Sequence, residues 1–291
     1  MTECDFKIAI IGLGIIGGSM AYALRGFKGA LISGCDINPD TRKKALAANA
    51  VDEVFDTPAP AIENADLVIL CVYPELICRI IHENRHHFKK GAVITDVCGV
   101  KTKIAHDITN ILPEGTTYVG GHPMAGKETD GFDSATSELF GMCGYIITPI
   151  ESSTPDAIRL VRDMARYVGA TRLTVATPED HDSVIAYTSD LMHVSAAALC
   201  LDYNHKMNRA YTAGAFRDCT RIANINPELW TQLFIENKDF LLDELDSFIT
   251  SVTRIRDAIK TENHSELVTM LSEVRTNKFR MQATEPENIE I

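Results

Sequence analysis

At 291 residues, 45% of them hydrophobic, the chain is long enough for about two ordinary globular domains. Its 40 Asp and Glu against 28 Lys and Arg leave a formal net charge of −12. That balance argues against a nucleic-acid partner and requires any anionic small substrate to meet a local basic pocket. No apolar run approaches the roughly 18 residues needed to cross a bilayer. The acidic start, MTECDFK, passes straight into a strand without the texture of a leader. The expectation is a cytoplasmic chain with no membrane partner. Eight cysteines, at 4, 35, 71, 78, 98, 143, 200 and 219, form no C-x-x-C pair and sit mostly in apolar runs. Buried free thiols explain them better than disulfides or a metal site, so no metal is expected.

In chain order, Ile8–Ile11 is a short apolar run, as in a strand buried on both faces. Gly12, Gly14 and Gly17 follow at G-x-G-x-x-G spacing, with Leu13, Ile15 and Ile16 between them. A helix-forming stretch, Ser19–Arg25, comes next. Gly12 permits a tight turn, Gly14 lets a pyrophosphate approach the backbone, and Gly17 lets the helix pack on the strand. The helix N-terminus offers free N–H groups to phosphates. A second strand, Ala30–Cys35, ends in Asp36, 19 residues beyond Gly17 and about where a ribose-binding acid belongs. Such glycines also occur in plain packing turns, but this context favours a dinucleotide site. Asp36 would repel a 2′-phosphate and no Arg follows it immediately, which favours NAD over NADP.

Asn38–Ala50 reads as a helix, with Asn38 as N-cap and Pro39 in the first turn. Further strands are expected at Asp52–Phe55, Asp66–Tyr73, Ala92–Val97, Thr117–Gly120, Gly144–Thr148 and Thr171–Val175. Helices fall at Glu75–Phe88, after the loop Cys98–Lys101 to about Leu112, and at Asp156–Val168. This alternation implies an α/β, Rossmann-type, parallel and doubly wound sheet whose ligands bind beyond the C-terminal strand ends. Asp36, Tyr73 with its neighbours Val72 and Pro74, Cys98 and His122 all sit at such ends.

From Pro178 the strand signals stop. Helical segments follow at Glu179–Tyr203, Arg209–Ala223, Pro227–Thr261 and Ser265–Met281. The division expected is a dinucleotide-binding domain over 1–177 and an all-α domain over 178–291. Leu241, Leu245, Phe248, Val252, Ile255 and Ile259 repeat at alternating steps of four and three, a narrow seam for a facing helix of the same or a second chain. The acidic tail from Ala283 is expected to be disordered.

The chemistry gathers in two stretches. In His122–Gly131, HPMAGKETDG, Pro123 biases His122 away from helical geometry. Its imidazole then sits at a strand end facing the cofactor cleft, able to take a proton near neutral pH. Glu128 reads equally as a first-turn helix acid or a pocket wall. In the helical half, Arg217 and Arg221 are four apart, on one helix face, and Arg suits carboxylates. The plainer reading is a solvated face or a bridge to Asp218. His193, among Leu191, Met192 and Val194, reads as a core histidine.

The stretches GLGIIGGS, DVCGVK, HPMAGKETDG, HDSVIAYTSDLMH, GAFRDCTRIA and PELWTQLFIEN together resemble the prephenate dehydrogenase family over essentially the full length. The resemblance implies an NAD-binding N-terminal domain and a helical C-terminal domain that makes a homodimer. It implies that His122 hydrogen-bonds the substrate ring hydroxyl and acts as base, and that Arg221 binds a substrate carboxylate. His193 and Lys127 are expected around the pocket, with Arg217 either supporting Arg221 or lying outside. Two positions depart from the commoner pattern. Gly99 stands where Ser often touches the ring hydroxyl, so that contact is absent or falls to Cys98 or water. Asp190 replaces the first His of an S-H-L-P-H motif. An acid there would disfavour prephenate, a keto acid, and suit arogenate, whose ammonium it can pair with. The expected reaction is NAD-dependent oxidative decarboxylation of prephenate. The alternatives are arogenate as substrate, a β-hydroxy acid dehydrogenase (no comparable helical Lys motif is present) and a non-catalytic NAD-binding regulator.

Overall fold

A computed structural model describes residues 6–283 apart from Glu128, Asp202, Asn204, His205 and Asn208. The readings of Cys4, of Glu128 and of the tail beyond Ala283 therefore fall outside the described residues.

Eight strands form one sheet: β1 (Lys7–Ile11), β2 (Leu31–Cys35), β3 (Glu53–Phe55), β4 (Leu67–Leu70), β5 (Val93–Asp96), β6 (Thr117–Pro123), β7 (Gly144–Pro149) and β8 (Arg172–Val175). Their order is β3-β2-β1-β4-β5-β6-β7-β8. The helices between them are α1 (Ile15–Ala23), α2 (Pro39–Ala47), α3 (Pro58–Ile62), α4 (Pro74–Glu83), α5 (Thr102–Thr109) and α6 (Pro155–Tyr167). Alternate side chains of β1 serve two cores. Ile8 and Ile10 join Leu13, Met20 and Leu24 on one face. Ala9 and Ile11 join Val68, Leu70 and Ile77 on the other. That period of two, apolar on both faces, is what the continuous run at 8–11 encodes.

β1 through β6 pair in parallel, but β7 runs antiparallel to β6, so the sheet is mixed rather than wholly parallel. Among the described residues, the segment between β6 and β7 carries only a 3₁₀ turn, Phe132–Ser134, and no crossover helix. A parallel return needs such a crossover. β6 also extends through His122, which pairs with Ile146 inside the sheet instead of following it.

The helical half follows β8: α7 (Pro178–Ile185), a π turn at Ala186–Asp190, α8 (Leu191–Leu201), a 3₁₀ turn at Arg209–Tyr211, α9 (Gly214–Thr220), a further 3₁₀ turn at Arg221–Ala223, α10 (Pro227–Glu236), α11 (Lys238–Lys260) and α12 (His264–Ala283). The helix expected to run unbroken from Pro227 to Thr261 divides at Asn237. There the buried amide donates to the Asp182 carbonyl at 3.0 Å and to Asp190 Oδ2 at 2.7 Å. Leu233 of α10 enters the second sheet core, which docks the two halves together.

The run Pro178–Leu201 is long and apolar enough to cross a membrane by length and composition, contrary to the sequence reading. Its Asp182 and Asp190 are buried and bonded to groups of this protein. Phe248, Val252, Ile255 and Ile259 of the α11 seam stay exposed, as do Val268, Leu271 and Val274 of α12. The seven described cysteines are free thiols; Cys200 and Cys219 are exposed, which corrects the expectation of burial for those two.

Candidate active site

The glycine turn crosses the sheet between β2 and β4. Gly12 N–H donates to the Cys35 carbonyl at 2.8 Å, and Cys71 N–H donates to Ile11 at 2.7 Å. Gly12 has φ +90°, and a Cβ there would stand 2.3 Å from the Cys71 carbonyl oxygen. A side chain at this point is therefore excluded twice, by backbone conformation and by space. A Cβ at Gly17 would lie 1.8 Å from the Gly12 oxygen, whereas Gly14 faces open space. Gly14 caps α1 with no side-chain hydrogen bond, which leaves the first N–H groups of the helix for an anion. Asp36 is held at the end of β2, where its carboxylate accepts from Leu13 N–H at 2.9 Å and Asn38 N–H at 2.8 Å. An open, uncapped helix start beside a fixed acid fits a dinucleotide's pyrophosphate and ribose.

A cleft of about 610 Å³ opens from this turn into the seam between the halves. Gly14, Ile15, Ile16, Val72, Tyr73, Cys98 and Gly99 line it from the sheet side, together with His122 and Lys127. Asp190, His193, Arg221 and Trp230 line it from the helical side. Pro74 opens α4 behind Tyr73. Gly12, Leu13, Gly17 and Asp36 shape the turn without lining the cleft.

His122 is wired to the helical half. Its Nδ1 lies 2.8 Å from His181 Nε2, and His181 Nδ1 lies 2.7 Å from Asp182 Oδ1. Asp182 accepts two further hydrogen bonds from the start of α5: Lys101 N–H at 2.8 Å and Thr102 N–H at 2.7 Å. Burial pushes His122 well below the ordinary imidazole value, helped by His181 and Lys101. Burial also lowers His181, against the raising effect of Asp182. Burial works to raise Asp182, but the bonds from His181 and Thr102 hold it below the usual carboxylate range. Beneath lies a fully buried ion pair, Lys101 Nζ to Asp96 Oδ1 at 2.7 Å, with Tyr118 donating to the other Asp96 oxygen. Lys101 Nζ also donates to the Cys98 carbonyl at 2.5 Å, which fixes the loop carrying Gly99.

A Cβ at Gly99 would point 3.9 Å from His122 Cε1, with Leu233 at 3.4 Å. Burial raises the Cys98 thiol to about 12, so it stays neutral. Asp190 is 2% exposed. Burial raises its carboxyl to about 6, against the lowering effect of the Asn237 amide. His193 stacks on Trp230 with centroids 3.5 Å apart, and its Nδ1 donates to the Ser189 carbonyl at 2.9 Å. That bond turns Nε2 outward as an acceptor.

Arg217 does not join them. It is exposed on α9 and absent from the cleft wall. Regular α geometry ends at Thr220, with φ −111°, so Arg217 and Arg221 do not share the continuous stripe their spacing implies. Lys127 lines the cleft and donates to the Ser134 carbonyl at 3.2 Å.

Residues 20–174 match the family model described as the prephenate dehydrogenase nucleotide-binding domain. Residues 177–273 match that of the prephenate dehydrogenase dimerization domain. The chain belongs to the prephenate dehydrogenase family. It is 35% identical to a cyclohexadienyl dehydrogenase of Zymomonas mobilis over 90% of this chain and 91% of that one. It is 31% identical to a prephenate dehydrogenase of Bacillus subtilis over 92% of this chain and 74% of the relative. The prephenate dehydrogenase of A. aeolicus, solved with hydroxyphenyl propionate and NAD+, superposes with a TM-score of 0.85 at 31% identity, covering 95% of this chain and 98% of that one. As a prephenate dehydrogenase family member, the chain is an NAD-dependent oxidoreductase.

His181, Asp182 and Trp230 escaped the sequence reading as site residues. Trp230 is the one tryptophan of the chain, in a motif already noted, and that was its available signal.

Proposed function

We propose that this chain converts prephenate to 4-hydroxyphenylpyruvate and carbon dioxide, as its resemblance implies. The observation that carries the reading is that His122, from the sheet, and Arg221, from the helical half, line one cleft with Gly14 and Tyr73. NAD, when bound, supplies the acceptor for the hydride on ring C4. His122 takes the proton of the C4 hydroxyl, which lets that carbon become a carbonyl. Loss of the ring carboxylate as carbon dioxide sends its bonding electrons through the ring to the carbonyl oxygen, which recovers the proton as a phenol. The protein attacks nothing; it orients the ring, holds a carboxylate and manages one proton. Arg221 holds the carboxylate, with Lys127, His193 and Gly99 around the ring. Gly12, Gly14, Gly17 and Asp36 place the cofactor.

A second reading is favoured by Asp190. Above about pH 6 this acid is ionised, and an anion in the cleft wall suits the ammonium of arogenate better than the keto group of prephenate. Turnover of both compounds by one purified sample, followed as NADH formation, decides between them. No NADH from either overturns both readings. We further propose the division 1–177 and 178–291, supported by the change from strands to helices after Val175. A homodimer through α11 and α12 is supported by their exposed apolar side chains, and a single-chain mass in sedimentation would refute it. A cytoplasmic location completes the proposal.

A further inference from the structure

We propose that His181 and Asp182 are positioning residues: they set the tautomer of His122 so that its Nε2 is the bare nitrogen offered to the cleft. The inference rests on the reading of His122 as the base and adds how that base is prepared.

The argument starts from groups whose roles are fixed. Backbone N–H groups only donate, so Asp182 must accept from Lys101 N–H at 2.8 Å and from Thr102 N–H at 2.7 Å. Its Oδ1 is also 2.7 Å from His181 Nδ1. A carboxylate satisfied in this way accepts only, so His181 Nδ1 carries a proton. His181 is 1% exposed, and an imidazolium there would be costly. Its Nε2 is then a lone pair, 2.8 Å from His122 Nδ1. His122 Nδ1 must donate, and the neutral ring has its second lone pair on Nε2. Each assignment follows from the one before, beginning at the first turn of α5.

The surroundings favour the same neutral state. Burial and the Lys101 cation lower both imidazoles, against the raising effect of Asp182 and Asp96 on His181. When His122 Nε2 takes the substrate proton, its Nδ1 proton points along the hydrogen bond toward His181 and the Asp182 carboxylate. Asp182 thereby stabilises the cation without touching the substrate. The relay also crosses the molecule: His122 is on β6, its two supports are on α7, and α7 is tied back to α5. The base is ready only when the halves are docked.

Ring-nitrogen NMR on protein labelled with ¹⁵N-histidine tests this directly, without substrate or cofactor. Wild type should show His122 as the Nδ1–H tautomer near neutral pH. His181→Ala should lower kcat about 100-fold, within the range for general-base assistance, with the KM for NAD unchanged. His181→Gln should recover part of that loss, since its carbonyl oxygen accepts from His122 Nδ1–H and its amide donates to Asp182. An Nε2–H tautomer in wild type overturns the proposal, as does a His181→Ala kcat within about twofold of wild type. If His181→Ala does not fold, the wild-type spectrum and His181→Gln still decide. Failure of the wild type to oxidise prephenate or arogenate would sink the functional reading and leave the tautomer result standing.

Discussion

The two walls of the cleft are built differently. On the His122 side, Asp96, Lys101, His181 and Asp182 are all buried to within about 1%, and each has a named hydrogen-bond partner. On the Arg221 side, neither α9 nor the 3₁₀ turn at Arg221–Ala223 buries a single residue, and Phe216 and Tyr211 stand exposed. The contrast suits the two roles proposed for His122 and Arg221. A proton acceptor works best when its surroundings need not reorganise as charge appears. A group that admits and releases an anionic substrate belongs on a segment that opens cheaply.

The sharpest attempt to break this comparison is at the rigid wall. His122→Asn should lower kcat by about 10³-fold, from loss of the base, while the NAD dissociation constant stays within about twofold. Stopped-flow NADH formation and a cofactor titration read the two separately, and unchanged turnover would remove His122 from its role. At the open wall the pattern should invert. Arg221→Ala should raise the substrate KM about 30-fold, for a lost charge-assisted hydrogen bond of about 2 kcal/mol, and change kcat by less than about threefold. A normal KM would refute the carboxylate assignment.

The smallest effect concerns Asp190, where the walls meet. Its folded value of about 6 lies above the ordinary 3.8. The stability this group contributes is therefore fully present below about 3.8 and lost as pH rises through about 6. Asp190→Asn, which can still accept from Asn237, should raise Tm by a few degrees well above pH 6 and have little effect near pH 4. A gain of equal size at both pH values would show that the carboxyl does not titrate in this window.

The glycine turn was legible because its determinants are local. Three glycines, one strand, one helix and an acid at the next strand end are all set by spacing along 36 residues. Asn38 likewise caps α2 as its sequence predicts, accepting from Asp40 N–H at 2.9 Å. What stayed hidden depends on residues far apart. His181 and Asp182 were visible as neighbours, but nothing local says that the first meets His122 and the second meets the start of α5. The direction of β7 was misread because a strand pattern gives no sign of its sense; the missing crossover helix does. The break at Asn237 was missed because no Gly or Pro marks it; an inward-facing amide does the work. Arg217 and Arg221 share a spacing, and the spacing misled, because the helix tightens between them.

That amide has a wider consequence. Asn237 is where the 23-residue α11 begins, and the same side chain grips the Asp190 carboxyl. The far end of α11 presents Ile255 and Ile259 to whatever packs there. Any tilt imposed at that end turns about a pivot embedded in the substrate chamber. The long helix is geared to a buried acid of the cleft wall.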